Sequence, residues 1–129
     1  ALVDLGGDIA IGDPPPGRGG WLIAVGGDSS PTPPLLLSNC GTATSGDTEQ
    51  YMIHDGIRYS HLIDPRTGWP LENQDLVMVI APDAATADAL ASALSVLGPD
   101  ADPAQSVRWK AQGYRWQQGS LPEPPVSER

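Results

Sequence analysis

Only one stretch of this 129-residue chain is long enough, and poor enough in glycine and proline, to form a substantial helix. It covers residues 82–98, while the chain as a whole contains 15 glycines and 14 prolines. Breakers this frequent exclude a helix bundle or a coiled coil and favour short strands joined by turns. The chain is therefore predicted to be α+β, with a mixed or antiparallel sheet and few helices.

The predicted strands are short, apolar and bounded by turn residues. Asp55-Gly56 lies between two such runs and predicts a tight hairpin, because glycine supplies the positive φ that the turn needs. A second hairpin, formed by residues 106–110 and 114–118, is predicted around Gly113. Separate strands are predicted at Leu2–Leu5 (buried), 21–25, Leu35–Leu37, Cys40–Ser45 and Asp75–Ala81.

The helix carries its own start and stop signals. Asp83 can cap its N-terminus, and Gly98 suits the position just after its last turn. Leu90, Leu94 and Leu97 recur at helical spacing and are predicted to form the stripe that faces the core.

Charge and cysteine content limit the classes of function. The chain has 7 basic and 16 acidic residues, a net charge of −9, which disfavours binding to nucleic acid. The single cysteine, Cys40, cannot form an internal disulfide. Because the chain begins with Ala1 rather than Met, it is interpreted as a piece of a longer protein. Residues 121–129 contain three prolines and are predicted to be a flexible tail.

Gly6-Gly7-Asp8 follows the first predicted strand. A glycine pair allows the backbone to approach a ligand closely and to direct amides at an anion. The tripeptide lacks the pattern of a dinucleotide-binding fingerprint or a P-loop, so a plain turn remains an open interpretation.

Ser45-Gly46-Asp47 ends a second strand after Thr44. Hydroxyls and amides in such a turn can bind phosphate, and the carboxylate can bind a cation. The alternative is a strand end in which these side chains satisfy their own backbone.

His61 lies near a strand end, three residues before Asp64. A histidine has a pKa near neutrality and can act as a general base toward a hydroxyl. The alternative is a structural histidine whose hydrogen bonds are already satisfied. The other histidine, His54, sits beside a tight turn and is expected to be exposed.

Asp88 and Ser92 are spaced i, i+4 on the helix, which places both oxygens on one side, as a hard cation such as Mg²⁺ requires. The alternative is a solvated polar face. That face has one charge and many alanines, however, which suits a surface covered by something else. Two protein oxygens are too few for a complete shell, so substrate phosphates and water would have to contribute.

The order of these segments carries more information than each alone. LVDLGGDIAIG, TATSGD, YSHLIDPRTGWP and DLVMVIAPDAATADALASAL, in that order, resemble the FAD:protein FMN transferase family, also called ApbE-like flavin transferases. The resemblance covers about residues 1–120. It implies a fold that is T-fold-like in part. It also implies binding of FAD and Mg²⁺, and transfer of FMN to a threonine hydroxyl of a target flavoprotein with release of AMP.

The resemblance also implies a role for individual residues. His61 corresponds to the base that activates the acceptor threonine. Asp88 corresponds to a metal-binding aspartate, and Ser92 stands where the family usually has a metal-binding Thr. The residues implied on the flavin side are Gly6, Gly7, Asp8, Ser45, Gly46, Asp47, Asp64 and Pro65.

Family members have an N-terminal region that this chain lacks, so the chain is expected to be a C-terminal part and inactive without a partner that supplies the rest. Two alternatives stay open, an FAD pyrophosphatase that uses water as acceptor and a non-catalytic flavin-binding fragment. By resemblance the parent protein is expected in the bacterial periplasm or as an inner-membrane lipoprotein, with the cytoplasm also open. A Rossmann oxidoreductase is disfavoured, because no glycine-rich helix start follows a strand.

Overall fold

The computed structural model describes residues 1–25, 33–46, 51–72, 75–98, 101 and 110–117, with the backbone alone described over 112–117. In chain order the elements are β1 (Leu2–Leu5), β2 (Asp8–Ile11), β3 (Trp21–Ile23), β4 (Leu35–Leu37), β5 (Cys40–Ser45), β6 (Tyr51–His54), β7 (Ile57–Ser60), β8 (Asp75–Ala81), α1 (Ala84–Leu97) and β9 (Gln112–Gln117).

Five strands of the described part form one sheet in the order β1-β2-β5-β8-β9, and every pairing in it is antiparallel. Two further pairs of strands are inserted along the chain, β3–β4 between β2 and β5, and β6–β7 between β5 and β8. Helix α1 follows β8 and packs on β5 and β8. The predicted α+β class with an antiparallel sheet is confirmed.

Alternate residues of β8 face two different cores, as the two-residue period of a strand requires. Val77 and Val79 pack with Ala43 and with the alanines of α1. Leu76 and Met78 point to the opposite face and pack against β2 and the β3–β4 ribbon. The sheet therefore lies between α1 on one side and the β3–β4 ribbon on the other.

Both predicted caps of α1 are confirmed. The Asp83 carboxylate accepts hydrogen bonds from the backbone N–H of Thr86 (2.8 Å) and from its hydroxyl (2.8 Å). These two bonds lower the pKa of Asp83. At the other end Gly98 has a φ of 80°, and its N–H donates to the carbonyl of Leu94 at 3.2 Å.

The buried stripe of α1 is not the predicted leucine stripe. Its buried residues are Ala87, Ala91 and Ser95, whereas Leu97 is 40% exposed. The reason is the close approach of helix and sheet, since a Cβ atom at Gly41 would overlap the backbone at the start of α1. Small side chains therefore occupy the centre of the contact, and Leu90 and Leu94 pack half-buried at its margin.

The first strands also differ from the prediction. Gly6-Gly7 forms the turn of a hairpin that connects β1 to β2. The sequence pattern did not predict β2. β1 lies at one edge of the described sheet, and Val3 and Leu5 are 53% and 77% exposed. The prediction of a buried first strand was wrong, because an edge strand is covered by neighbours less completely than a central one.

The predicted turn at Gly113 was also wrong. Gly113 lies within β9 and pairs with Val79, and the ladder continues from Ile80↔Gln112 to Asp75↔Gln117. Pairing along nearly all of β8 outweighs the local turn preference of one glycine. Residues 102–109, which include most of the other predicted strand, and the tail 121–129 lie outside the described residues. No helix in the described ranges has the length and apolar character that crossing a membrane requires.

Candidate functional site

Two of the predicted segments meet at one end of the sheet. Ile9 pairs with Thr42, so the turn that precedes β2 lies beside the end of β5, at Ser45. Helix α1 begins beside Gly41, at the start of β5, and its Ala87 and Ala91 pack against the middle of the sheet. The C-terminal half of α1 therefore lies towards the same end as the turn and Ser45.

The glycine turn is a tight two-residue connection. Gly6 and Gly7 have φ values of 71° and 104°, which side chains with a Cβ rarely adopt. The N–H of Gly7 donates to the Asp4 carboxylate at 2.9 Å. A Cβ at either glycine would meet no atom within 4 Å, so the turn presents its backbone in open space. Its role in binding flavin stays a prediction.

The end of β5 is packed more tightly. Ser45 is 8% exposed and pairs with Val77, on the face of the sheet that α1 covers. A Cβ at Gly46 would overlap the tip of the Leu76 side chain, so a larger residue here would require that side chain to shift. Asp47, the third residue of the predicted segment, lies outside the described residues.

The charge of Asp88, on α1, acts on the carboxyl group of Asp8, at the start of β2. Ile9 and Ile11 point to the face covered by the β3–β4 ribbon, so Asp8 points to the face of α1. Burial raises the pKa of Asp8, and the charges of Asp88 and Asp4 raise it further. A cation placed between Asp8 and Asp88 would remove this repulsion. Sequence reasoning placed Asp8 on the flavin side and did not connect it with Asp88.

Asp88 and Ser92 flank the buried stripe of α1. Each follows a buried alanine by one residue, about 100° further around the helix. The pair therefore lies beside the contact with the sheet, with Asp88 exposed and Ser92 half-buried. Carboxylate and hydroxyl oxygens are ligands that Mg²⁺ accepts, so the pair fits a magnesium ion as part of a shell.

The protein's share of such a shell is small. Within the described ranges no group of three or more His, Cys, Asp or Glu side chains could hold a metal ion. Mg²⁺ usually keeps several waters and binds through one or two carboxylates together with substrate phosphates. The donors present fit that manner of binding better than a closed structural site.

The segment that carries His61 is a closed loop. It follows β7 and is held by backbone hydrogen bonds from Ser60 N–H to Leu71 O (2.8 Å) and from Leu71 N–H to Leu62 O (2.9 Å). A turn at its tip is closed by the Gly68 N–H, which donates to the carbonyl of Asp64 at 2.8 Å. The side chain of His61 is exposed at the start of this loop.

Asp64 is held inside the loop by Arg66. Its carboxylate accepts from the Arg66 backbone N–H (2.8 Å), from Nε (2.9 Å) and from Nη2 (2.7 Å). The Arg66 side chain is the main reason that the pKa of Asp64 is lowered. Asp64 was predicted on the flavin side together with the exposed Pro65. The structure gives its carboxylate an internal partner, and the roles of both residues toward flavin stay predictions.

Arg66 itself was missed by sequence reasoning. Beyond Asp64, its Nη2 donates to the carbonyl of Val96, in the last turn of α1, at 3.0 Å. The i, i+2 spacing of an aspartate and an arginine around a proline was the available signal for the pair with Asp64. Nothing in the sequence pattern indicated the contact with Val96, thirty residues away.

The whole arrangement matches one known family. A family model described as the ApbE family matches residues 1–111. This chain therefore belongs to the ApbE family, as the sequence motifs predicted.

The curated relatives that match most of this chain share one name. An FAD:protein FMN transferase of Treponema pallidum is 39% identical over 111 residues, which covers 76% of this chain and 31% of the relative. One from Haemophilus influenzae is 38% identical over 106 residues and covers 77% and 30%. The chain thus spans about a third of the length of these relatives, and the prediction that it is their C-terminal part stays a prediction.

A solved structure supports the fold independently. The crystal structure of the ApbE protein from Thermotoga maritima superposes with a TM-score of 0.80 at 32% sequence identity. The match covers 98% of this chain and 42% of that protein. Almost all of the architecture described above is therefore similar to that of an ApbE protein.

Proposed function

We propose that this chain forms part of a Mg²⁺-dependent FAD:protein FMN transferase, which moves FMN from FAD to a threonine hydroxyl of a target flavoprotein and releases AMP. The observation that carries the proposal is the match of residues 1–111 to the ApbE family, with relatives named for that activity. The glycine turn, the end of β5 and the C-terminal half of α1 lie towards one end of the sheet, and this arrangement supports it.

The reaction requires one bond to form and one to break. The threonine oxygen bonds to the phosphorus of the FMN half, and the bridging P–O bond to AMP breaks. His61 accepts the threonine proton, and its exposed position suits contact with an acceptor protein. The bridging oxygen leaves with AMP, so the atoms balance without a further reactant.

Asp88 and Ser92 would hold the magnesium ion of such an enzyme. Mg²⁺ neutralises charge on the diphosphate when it is bound. This contribution matters more in a chain with a net charge of −9, whose own field repels an anionic substrate. The Gly6-Gly7 turn leaves open space beside its backbone at the same end of the sheet, which suits the close approach of a substrate.

The test compares this chain with a longer protein of the relatives' length that contains it. Each is incubated with FAD, Mg²⁺ and an acceptor domain, and flavin fluorescence of the acceptor band and AMP are measured. We expect a fluorescent band from the longer protein and none from the isolated chain. A band from the chain alone would refute the proposed need for the rest of the enzyme.

The same assay separates the alternatives. AMP release without any acceptor would favour an FAD pyrophosphatase, and flavin binding without either product would favour a non-catalytic fragment. His61→Ala should lower transfer by roughly 10²–10⁴-fold, the usual contribution of a general base. His54→Ala is the matched control, because His54 is an exposed histidine in the neighbouring hairpin and should leave transfer unchanged.

A further inference from the structure

Arg66 joins two segments that the proposed function needs together. Its guanidinium binds the Asp64 carboxylate through Nε (2.9 Å) and Nη2 (2.7 Å), and Nη2 also reaches the carbonyl of Val96 at 3.0 Å. Asp64 lies three residues after His61, in the same closed loop. Val96 lies on the helix that carries Asp88 and Ser92.

The contact at Val96 completes the end of α1. Carbonyls in the last turn of a helix lack intrahelical partners, and positive charge there is favourable. The last turn of α1 contains no basic residue of its own. Arg66 supplies that charge from a different segment, which is a tertiary contact and not a local cap.

Val96 belongs to the same i, i+4 row of helix residues as the proposed metal ligands. Asp88, Ser92 and Val96 are each four residues apart, so consecutive members are separated by about 6 Å along the axis. The hydrogen bond at Val96 is thus one helical turn from Ser92 and two from Asp88. Loop and helix are fixed to each other close to the proposed metal ligands.

The loop itself does not depend on this side chain for its shape. Its backbone bonds, Ser60 to Leu71, Leu71 to Leu62 and Gly68 to Asp64, involve no atom of the Arg66 side chain. Removal of the guanidinium therefore leaves the loop closed but takes away its hydrogen bond to α1. A lysine cannot replace it, because one ammonium lacks the planar fork that serves the carboxylate and the carbonyl together.

We propose that Arg66 is a positioning residue, which fixes the loop carrying His61 against the end of the helix carrying Asp88 and Ser92. The inference rests on the proposed function, because it assigns those three residues to the base and the metal site. A general base contributes only when its distance from the reacting hydroxyl is held, and small displacements are costly. Arg66 holds that distance without touching the substrate.

The test uses Arg66→Lys and Arg66→Ala in the longer transferase. We expect kcat for FMN transfer to fall roughly ten- to a hundredfold in both, with KM for FAD changed less than about threefold. Guanidinium chloride at millimolar concentration should restore part of the activity of Arg66→Ala and none of that of His61→Ala. Arg18→Ala is the matched control, since it removes an exposed guanidinium from the loop before β3.

Several outcomes would overturn the inference. Unchanged kcat in both variants would do so, and so would a raised KM for FAD with unchanged kcat, which would make Arg66 a substrate-binding residue. A wild-type protein without transfer would instead contradict the proposed function. Hydrogen exchange covers that case, because Arg66→Ala should speed exchange in the last turn of α1 and not in its first turn. Equal exchange in wild type and variant would refute the contact regardless of activity.

Discussion

Two aspartates of this chain, both partly withdrawn from water, behave in opposite ways. The pKa of Asp64 is lowered, because Arg66 surrounds its carboxylate with donors. The pKa of Asp8 is raised, by burial first and then by the charge of Asp88. A carboxylate with an internal cation serves the structure, whereas one that faces another carboxylate is suited to an external cation. The difference distinguishes a carboxylate with a structural partner from one that the proposed site would use.

The largest effect is expected when the charge of Asp88, the proposed metal ligand near Asp8, is removed. Asp88→Asn keeps the size of the side chain but removes the charge that would hold Mg²⁺, so transfer should fall at least a hundredfold at fixed Mg²⁺. In a Mg²⁺ titration, the transfer rate of the variant should rise and recover part of the loss at high Mg²⁺ concentration. Asp55→Asn, which changes an exposed aspartate in the β6–β7 turn, is the control and should keep the wild-type rate.

Thermal melting with and without magnesium measures the same pair without catalysis. Mg²⁺ at a hundred times its Kd should stabilise the wild-type protein by about 2.7 kcal/mol, by mass action. Asp88→Asn should show a much smaller shift, whereas Asp64→Asn should keep the full one. Equal shifts in the wild type and Asp88→Asn would place the metal elsewhere.

Asp64→Asn tests the satisfied carboxylate through pH. The folded-state pKa lies below its ordinary value of 3.8, so the charged form stabilises the fold above that pH. This stabilisation is lost as pH falls through the folded-state pKa. Urea unfolding at pH 7 should therefore show the variant less stable than wild type, and the difference should shrink near pH 3. A difference independent of pH would contradict the ion pair with Arg66.

The smallest effect is expected from Asp8→Asn. Removal of one of two facing charges should raise the melting temperature of the metal-free protein slightly at pH 7, because repulsion with Asp88 ends. The same substitution should reduce the rise in melting temperature that Mg²⁺ produces. Asp55→Asn is again the control, because Asp55 is exposed in the β6–β7 turn. A lower metal-free melting temperature in Asp8→Asn than in Asp55→Asn would contradict the repulsion.

Features of the chain that depend on neighbouring residues were predictable. The Asp55-Gly56 hairpin forms with φ values of 50° and 79°. It was predictable because few residue pairs other than Asp-Gly and Asn-Gly adopt two positive φ values in a tight turn. The bounds of β5 and β8 and the cap at Asp83 followed from the same kind of local signal. β2 was missed because a strand of four residues beginning with aspartate has no pattern of its own. The leucine stripe of α1 was only partly right: Leu90 and Leu94 pack against the core, but Gly41, distant in sequence, brings the helix so close that small side chains occupy the centre of the contact.

The sequence by itself determined the family, the α+β class with a mixed or antiparallel sheet, the caps of α1 and the i, i+4 spacing of Asp88 and Ser92. Covalent geometry and helical period fix such relations over a few residues. Only the tertiary structure decided that Asp8 lies on the face of the sheet covered by α1, where the charge of Asp88 acts on it, and that Arg66 reaches Val96. These contacts depend on the register of β2 on β5 and on how closely α1 packs on the sheet. Packing over the whole sheet sets both, and no short segment encodes them.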